Sequence, residues 1–281
     1  MANKALIIDL DSILYRAGFS VEKTWRYVTV TGEDTYRARF SKARDMKEWC
    51  EEQGLLPGDY EVRLEHEVGE AEAAIKLFDV MLSGIHRTYE DYVPEMYMGG
   101  KADYRYEIYP EYKGNRKDQK RPVHYDMLFS HAQVMGAIIP EGIEADDMCC
   151  IRAYECMEAG DDYVLARIDK DLAQIPGTHY NFATTEEVMI DPYEADLNFY
   201  TQLLTGDAGD NIPGLKGIGK KRAAKILEDC SDEREMYNSC KLSYYDHSGC
   251  ETGEEAESDM YRNAQLLYLL RHREDTFKPP I

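Results

Sequence analysis

The sequence predicts an α/β fold: a mostly parallel central sheet flanked by helices, then a C-terminal helical region. Three observations point to it. Ala5-Leu6-Ile7-Ile8 is a continuous apolar run of the kind found in strands buried on both faces, and it ends in Asp9-Leu10-Asp11. Residues 162–168, Asp162-Tyr163-Val164-Leu165-Ala166-Arg167-Ile168, read as a second such strand and end in Asp169-Lys170-Asp171. Stretches with helical spacing lie between and after these strands, and alternation of strand and helix builds parallel sheets.

Taken in order, the first strand leads into a helix starting near Ser12. Residues 25–41 alternate as a hairpin does, from Trp25-Arg26-Tyr27-Val28 to a turn at Thr31-Gly32-Glu33-Asp34. Ser41 caps a helix running to about Gln53, with Phe40, Ala43, Met46, Trp49 and Cys50 on one face. The segment from about 22 to 55 reads as an insertion with no assignable chemistry. A loop at Leu56-Pro57-Gly58-Asp59 and an amphipathic helix over 70–84 follow. A strand near Glu95-Met96-Tyr97-Met98 runs into Gly99-Gly100. Helices are expected over about 123–136, 144–159 and from Tyr193 to Gly206, with a short strand at Tyr180-Asn181-Phe182. The expected domains are 1–190, an α/β domain, and 191–281, a helical one.

The helix opening at Ile143-Glu144-Ala145-Asp146-Asp147 is unusual. Its three carboxylates are flanked by apolar residues, with Ile138 and Ile139 before and Met148, Cys149, Cys150 and Ile151 after. Acids in such surroundings repel each other strongly, and a bound cation is the simplest remedy. The other reading is an acidic first turn favoured by the helix dipole. Ligands of open parallel sheets bind outside the carboxyl ends of the strands. Two strands ending in Asp-x-Asp and one helix opening in Glu-x-Asp-Asp can therefore converge on one crevice. Such an all-oxygen set suits Mg²⁺ or Mn²⁺ rather than zinc.

The 281 residues carry a formal net charge of −21, which taken alone argues against a nucleic-acid partner. The charge is uneven, however. Residues 228–259 hold eleven acids, whereas 113–121 hold five basic residues against Asp118, and 214–225 hold five with no acid. A polyanion responds to the local field. Seven cysteines without a tight CxxC pair suggest free thiols in a reducing compartment, and no signal-peptide pattern is seen, so the expected location is the cytosol. Cys230, Cys240, His247 and Cys250 share a stretch, but their spacing matches no common zinc pattern.

Two basic segments remain. Between Tyr104 and Lys117 aromatic and basic residues interleave, offering stacking faces for bases and charges for phosphate, or simply an exposed edge strand. From Thr205 to Leu227 a glycine-rich turn joins two helices. Gly217 and Gly219 are expected to permit a close backbone approach, and the start of the second helix, with Lys220, Lys221, Arg222 and Lys225, suits phosphate. This is a helix–hairpin–helix arrangement for gripping duplex backbone without reading sequence.

With these pieces placed, the chain resembles the 5′-nuclease family: phage flap endonucleases, 5′→3′ exonucleases and the 5′-nuclease domain of bacterial DNA polymerase I. The resemblance covers residues 4–19 and about 95–227. It rests on Ile8-Asp9, Tyr112-Lys113-Gly114-Asn115-Arg116, Glu144-Ala145-Asp146-Asp147, Asp169-Lys170-Asp171 and the run from Gly206-Asp207 to Gly219, in the family's order.

The resemblance implies a PIN-like 5′-nuclease fold with a short arch over about 113–140. It implies a two-ion metal site from Asp9, Glu144, Asp146, Asp147, Asp169, Asp171 and Asp210, with Asp207 as an outer member. Lys113 and Arg116 would contact the scissile phosphate, Arg16 would be the basic residue after the first strand, and Tyr112 a base-stacking position. Lys117 and the helix–hairpin–helix residues would bind nucleic acid, and that turn would hold K⁺ through backbone carbonyls. The activity implied is hydrolysis of DNA or RNA primers at a 5′ end, flap or nick in phage-type replication, by a monomer. One position departs from the family, which places an Asp where Met98-Gly99-Gly100 stands here. Either Asp103 or Asp11 compensates, or the first metal relies on Asp9 and waters. The departure motivates a second reading, a structure-specific DNA-binding protein of weak catalysis. A third is an RNA-cutting nuclease of the same fold.

Overall fold

The computed structural model describes residues 3–116 and 119–280. The chain forms two compact units. The first comprises Met1–Ser12, Ser83–Lys120 and Gln133–Ile281; the second comprises Ile13–Leu82 and Arg121–Ala132.

The first unit is built on a five-stranded sheet. Its strands are β1 (Lys4–Asp9), β5 (Val93–Tyr97), β6 (Asp162–Ala166), β7 (Gly177–Asn181) and β8 (Glu186–Ile190), in the order β5-β1-β6-β7-β8. The first four run parallel and β8 closes one edge antiparallel. Leu6, Ile7 and Ile8 are fully buried, as expected of a central strand covered on both faces. α6 (Ala145–Ala159) shares a core with this sheet, in which Ile7 and Leu165 meet Cys149 and Ala153. The parallel register pairs Asp9 with Tyr97 and Ile8 with Ala166, so the carboxyl ends of β5, β1 and β6 open along one line.

The C-terminal helices α7 (Pro192–Thr205), α8 (Lys220–Leu227), α9 (Glu233–His247) and α10 (Gly253–Leu267) form their own core around Tyr200, Leu203, Met236, Tyr244 and Met260. They belong to the same unit as the sheet, so the chain does not divide near residue 190. The buried Arg105 explains this. Its guanidinium, from α4 (Asp103–Ile108), donates to the carbonyls of Leu266 and Tyr268, both at 3.0 Å.

The second unit holds the insertion. It contains most of α1 (Asp11–Ser20), then β2 (Glu22–Val30), β3 (Ala38–Phe40), α2 (Ala43–Glu52), β4 (Tyr60–Val68), the first part of α3 (Ala71–Thr88) and most of α5 (Tyr125–Val134). β2 and β3 are the expected hairpin, but β2 also pairs with β4 along its whole length, making a three-stranded antiparallel sheet. Residues 60–68 alternate, with Tyr60, Val62, Leu64 and Val68 on one side, so the sequence does carry the signal of this strand, although Leu64 is 63% exposed. Of the expected arch, a 3₁₀ turn at Gly114–Arg116 and α5 are described.

Candidate active site

Asp9 ends β1 nearly buried. One carboxylate oxygen accepts the Asp11 N–H at 3.1 Å and the other the Ser12 hydroxyl at 2.8 Å. Burial, then the charges of Asp11 and Asp169, push its carboxyl up to about 7. Asp146, on the first turn of α6, is raised well above the usual carboxylate range by burial and by Asp9, Asp169 and Glu144. Asp169 follows β6, and its carboxylate accepts the Asp171 N–H at 2.9 Å. These acids therefore meet at the strand ends and repel one another.

Glu144 caps α6 beside them. Its oxygens take the Lys113 ammonium at 2.5 Å, the Tyr112 hydroxyl at 2.9 Å and Arg105 at 3.1 Å. Burial alone would raise its carboxyl, but Lys113 and Arg105 outweigh burial and hold it low. Asp210 accepts from Tyr112 at 3.1 Å, lies 3.8 Å from the Lys113 ammonium and is paired with Arg116. Lys113 has φ 54, a left-handed turn fixed by its own N–H donating to the Asp210 carbonyl at 2.8 Å. That turn is what carries the ammonium back over Glu144.

A second acidic group adjoins the first. Asp207 accepts the Gly209 N–H at 2.6 Å and shares Gln202 with Asp171, whose carboxyl is pushed up to about 7 by burial, Asp169 and Asp207. Asp207 itself is buried, yet a hydrogen bond from Asp171 and the Lys170 charge hold it low.

Three expectations change against this geometry. Asp147 turns away from the group: it is fully buried, and both oxygens bind the Arg105 guanidinium, at 2.6 and 2.7 Å. Tyr112 is only 2% exposed, its ring edge-on to Tyr106 in the core, so it cannot stack a base. The close backbone approach belongs to Gly206 and Gly214 rather than to Gly217 and Gly219. A Cβ on Gly206 would lie 2.2 Å from the Gly214 nitrogen, whereas one on Gly219 meets nothing. Gly217 is required instead by its φ of 77. Gly100 leaves no room for a carboxylate. Its φ is 80 and a Cβ there would fall 2.3 Å from the Ile143 carbonyl. Gly100→Asp is accordingly expected to cost at least the roughly 1–2 kcal/mol of a left-handed non-glycine residue, read as a lower urea midpoint; an unchanged midpoint would contradict this packing.

Of the two compensating acids, Asp103 lies on the surface beside Lys101. Asp11 instead places both carboxylate oxygens on the Gly99 N–H, at 3.1 and 3.0 Å, immediately after the buried Met98.

Arg16 is exposed on α1, in the second unit. Lys117 lies outside the described residues. Lys220, Lys221, Arg222 and Lys225 are exposed along α8. Cys230, Cys240, His247 and Cys250 bond to Ser239, Tyr200, Ser243 and Asp259 respectively, not to a shared point.

The donor set is all oxygen and carries more negative charge than its neighbours neutralise, which fits a divalent cation. Among the described residues no three potential ligands stand together at ligating distance, and Lys113 and Arg116 are paired with Glu144 and Asp210.

This sheet, with acids at its strand ends and helices closing one side, is the fold of the 5′-nucleases. The solved structures it resembles include those of the bacteriophage T5 enzyme. A zinc-bound form of the T5 5′-exonuclease matches with TM-score 0.58 and 18% identity over 94% of this chain and 89% of that one. A T5 flap endonuclease complex with DNA and metal ions matches with TM-score 0.53 and 21% identity over 70% and 80%. No family model matches the chain. In sequence it is 27% identical over 180 residues to DNA polymerase I of Caldicellulosiruptor bescii, covering 57% of this chain. It is 31% identical over 152 residues to a 5′-3′ exonuclease of Buchnera aphidicola, covering 50% of this chain. The flap endonuclease Xni of Shewanella putrefaciens is 26% identical over 181 residues, 60% of this chain and 69% of that protein. The matched stretch is 21% of the length of the polymerase and 53% of the exonuclease.

Proposed function

We propose that the chain is a divalent-metal-dependent 5′→3′ exonuclease and 5′ flap endonuclease acting on DNA. The observation that carries this reading is the meeting of Asp9, Asp146 and Asp169 at the carboxyl ends of parallel strands, with Lys113 poised over the adjoining Glu144. The likeness to 5′-nucleases in sequence and fold supports it.

Asp9, Asp146, Glu144, Asp169, Asp171 and Asp210 are the residues that would hold Mg²⁺ or Mn²⁺, two ions in all. Asp11 substitutes for the carboxylate absent at Met98, and Asp207 orders Asp171 from behind. Metal ions bound there would supply an activated water and charge neutralisation at the leaving 3′-oxygen. Cations held by the acids would leave the Lys113 ammonium, now 2.5 Å from Glu144, available to the scissile phosphate. Arg116, bound to the Gly209 carbonyl at 3.0 Å, holds a second positive charge in reach of the same phosphate. The α8 lysines grip duplex backbone, and the backbone carbonyls of the preceding turn would hold K⁺. The substrates are 5′ ends, flaps and nicks, including RNA primers on DNA, in replication of the phage type. The working form is a monomer in the cytosol of the host cell. Among the described residues no helix is long and apolar enough to cross a membrane.

The test is digestion of a 5′-end-labelled flap in Mg²⁺, in Mn²⁺ and in EDTA. Cleavage in either metal and none in EDTA is expected. Cleavage that persists in EDTA overturns the mechanism, and tight binding without cleavage in any metal would favour the DNA-binding reading.

The acids also predict a pH effect without metal. A carboxyl whose folded value is raised stabilises the fold below its unfolded value, and this contribution is lost as pH rises through the folded value. For Asp9 the window runs from the usual carboxylate range to about 7. In EDTA, Asp9→Asn is expected to gain melting temperature relative to the parent as pH rises from 5 to 8. A difference that stays flat would show that Asp9 is ionised in the folded protein throughout.

A further inference from the structure

The three-stranded sheet of the second unit has two unlike faces. Side chains alternate along a strand, so Val28 of β2 faces α2, where it is buried with Met46 and Cys50 against Phe40 and Tyr60. Trp25 and Tyr27 therefore point to the opposite face, as do their cross-strand partners. The register sets Tyr27 between Arg39 and Arg63. Trp25 and Tyr27 are partly exposed, and Arg39 and Arg63 are exposed.

On this face guanidinium and ammonium groups lie over rings. Arg39 stands 4.1 Å above the Trp25 ring and Arg63 4.8 Å above Tyr27, while Lys23 lies 5.8 Å from Trp25. Tyr36, 53% exposed, meets Tyr27 edge-on at 4.9 Å. Carboxylates line the β4 side: Glu67 accepts from the Trp25 indole and Glu65 is 3.7 Å from Arg63. A polyanion is thereby directed to the β2–β3 half, where rings and cations are concentrated. In a chain of net charge −21 such a surface is local and distinct.

We propose that this face binds single-stranded nucleic acid, with unpaired bases stacking on Trp25, Tyr27 and Tyr36 and with Arg39 and Lys23 meeting the backbone. Single strands are chosen because stacking requires bases freed from pairing, and alternating aromatic and basic side chains match alternating base and phosphate. The proposal takes its class of partner from the nuclease reading, but its residues lie outside the candidate active site.

The chain has only two tryptophans, Trp25 on this face and Trp49 beneath the sheet. Titrating the full chain with a dT oligonucleotide in EDTA should quench the Trp25 emission. In Trp25→Phe the remaining Trp49 emission should stay unchanged. Tyr27→Ala should weaken oligonucleotide affinity roughly 5- to 100-fold, as losing one stacked base does. Arg39→Ala should lower the log–log salt slope by about 0.7, one phosphate on a single strand. Tyr27→Ala should cleave a nicked duplex lacking a flap at the parental rate, which separates this test from that of the nuclease reading. Unquenched Trp25 at saturating oligonucleotide, or unchanged affinity in Tyr27→Ala, overturns the proposal. Equal quenching by blunt duplex overturns the choice of single strands.

Discussion

Lys113→Ala is expected to slow single-turnover cleavage by roughly 10²-fold or more, the effect of losing one donor aimed at transition-state charge, with duplex affinity nearly unchanged. The geometry gives the reason. The ammonium is 2.5 Å from Glu144 and 3.8 Å from Asp210, inside the acidic group rather than on an outer surface. Its left-handed backbone is held by the Asp210 carbonyl, so the charge is placed before substrate arrives. A contact of this kind is made mainly in the transition state and appears in kcat. Lys221 is its counterpart on α8 and is exposed. Lys221→Ala should weaken binding and reduce the log–log salt slope by about 1, with the saturated rate kept. Anisotropy titrations in Ca²⁺ beside quenched-flow cleavage in Mg²⁺ separate the two. If Lys113→Ala loses affinity as much as rate, the two basic segments have exchanged roles.

Much of this arrangement was legible in the sequence. Asp9 and Asp169 follow apolar runs that only a central sheet can bury, so their place at the strand ends follows from the pattern. Glu144 and Asp146 stand out because the apolar run 148–151 follows them closely. Asp147 was legible as an acid but not by its direction. One turn of helix places it near Glu144, and only the fold brings Arg105, 42 residues earlier, to claim both its oxygens. Tyr112 misled for a similar reason. Interleaved aromatic and basic residues suit a stacking surface, but the turn at Lys113 folds this ring into the core. Helix α9 left a usable signal, since Met236, Cys240 and Tyr244 recur every fourth residue and are all buried; the acidic bias of the segment masked it. The value of Gly206 and Gly214 could not be read locally, because each is needed for its approach to the other's neighbourhood.

Arg105 and Asp147 form the largest stability determinant identified by this geometry. Arg105 is 2% exposed and Asp147 0%. Beyond their paired bonds, Asp147 accepts the Glu144 and Leu270 N–H groups at 3.2 and 3.3 Å, while Arg105 serves two carbonyls of the C-terminal segment. Removing one member leaves the other charge buried and uncompensated, a loss of about 3–5 kcal/mol. Asp147→Asn is expected to lose that much in urea unfolding, because the amide cannot balance the guanidinium. Arg105→Ala should lose a similar amount and loosen the C-terminal helices from the sheet. Asp146→Asn, one residue away, should behave in the opposite way. It removes one of several repelling carboxylates, so stability in EDTA should hold or rise, while Mn²⁺ binding followed by calorimetry should weaken. The two adjacent aspartates thus separate fold from site. A stable Asp147→Asn with impaired Mn²⁺ binding would return Asp147 to the ligand set, and an unstable Asp146→Asn would show that its charge is needed by the fold.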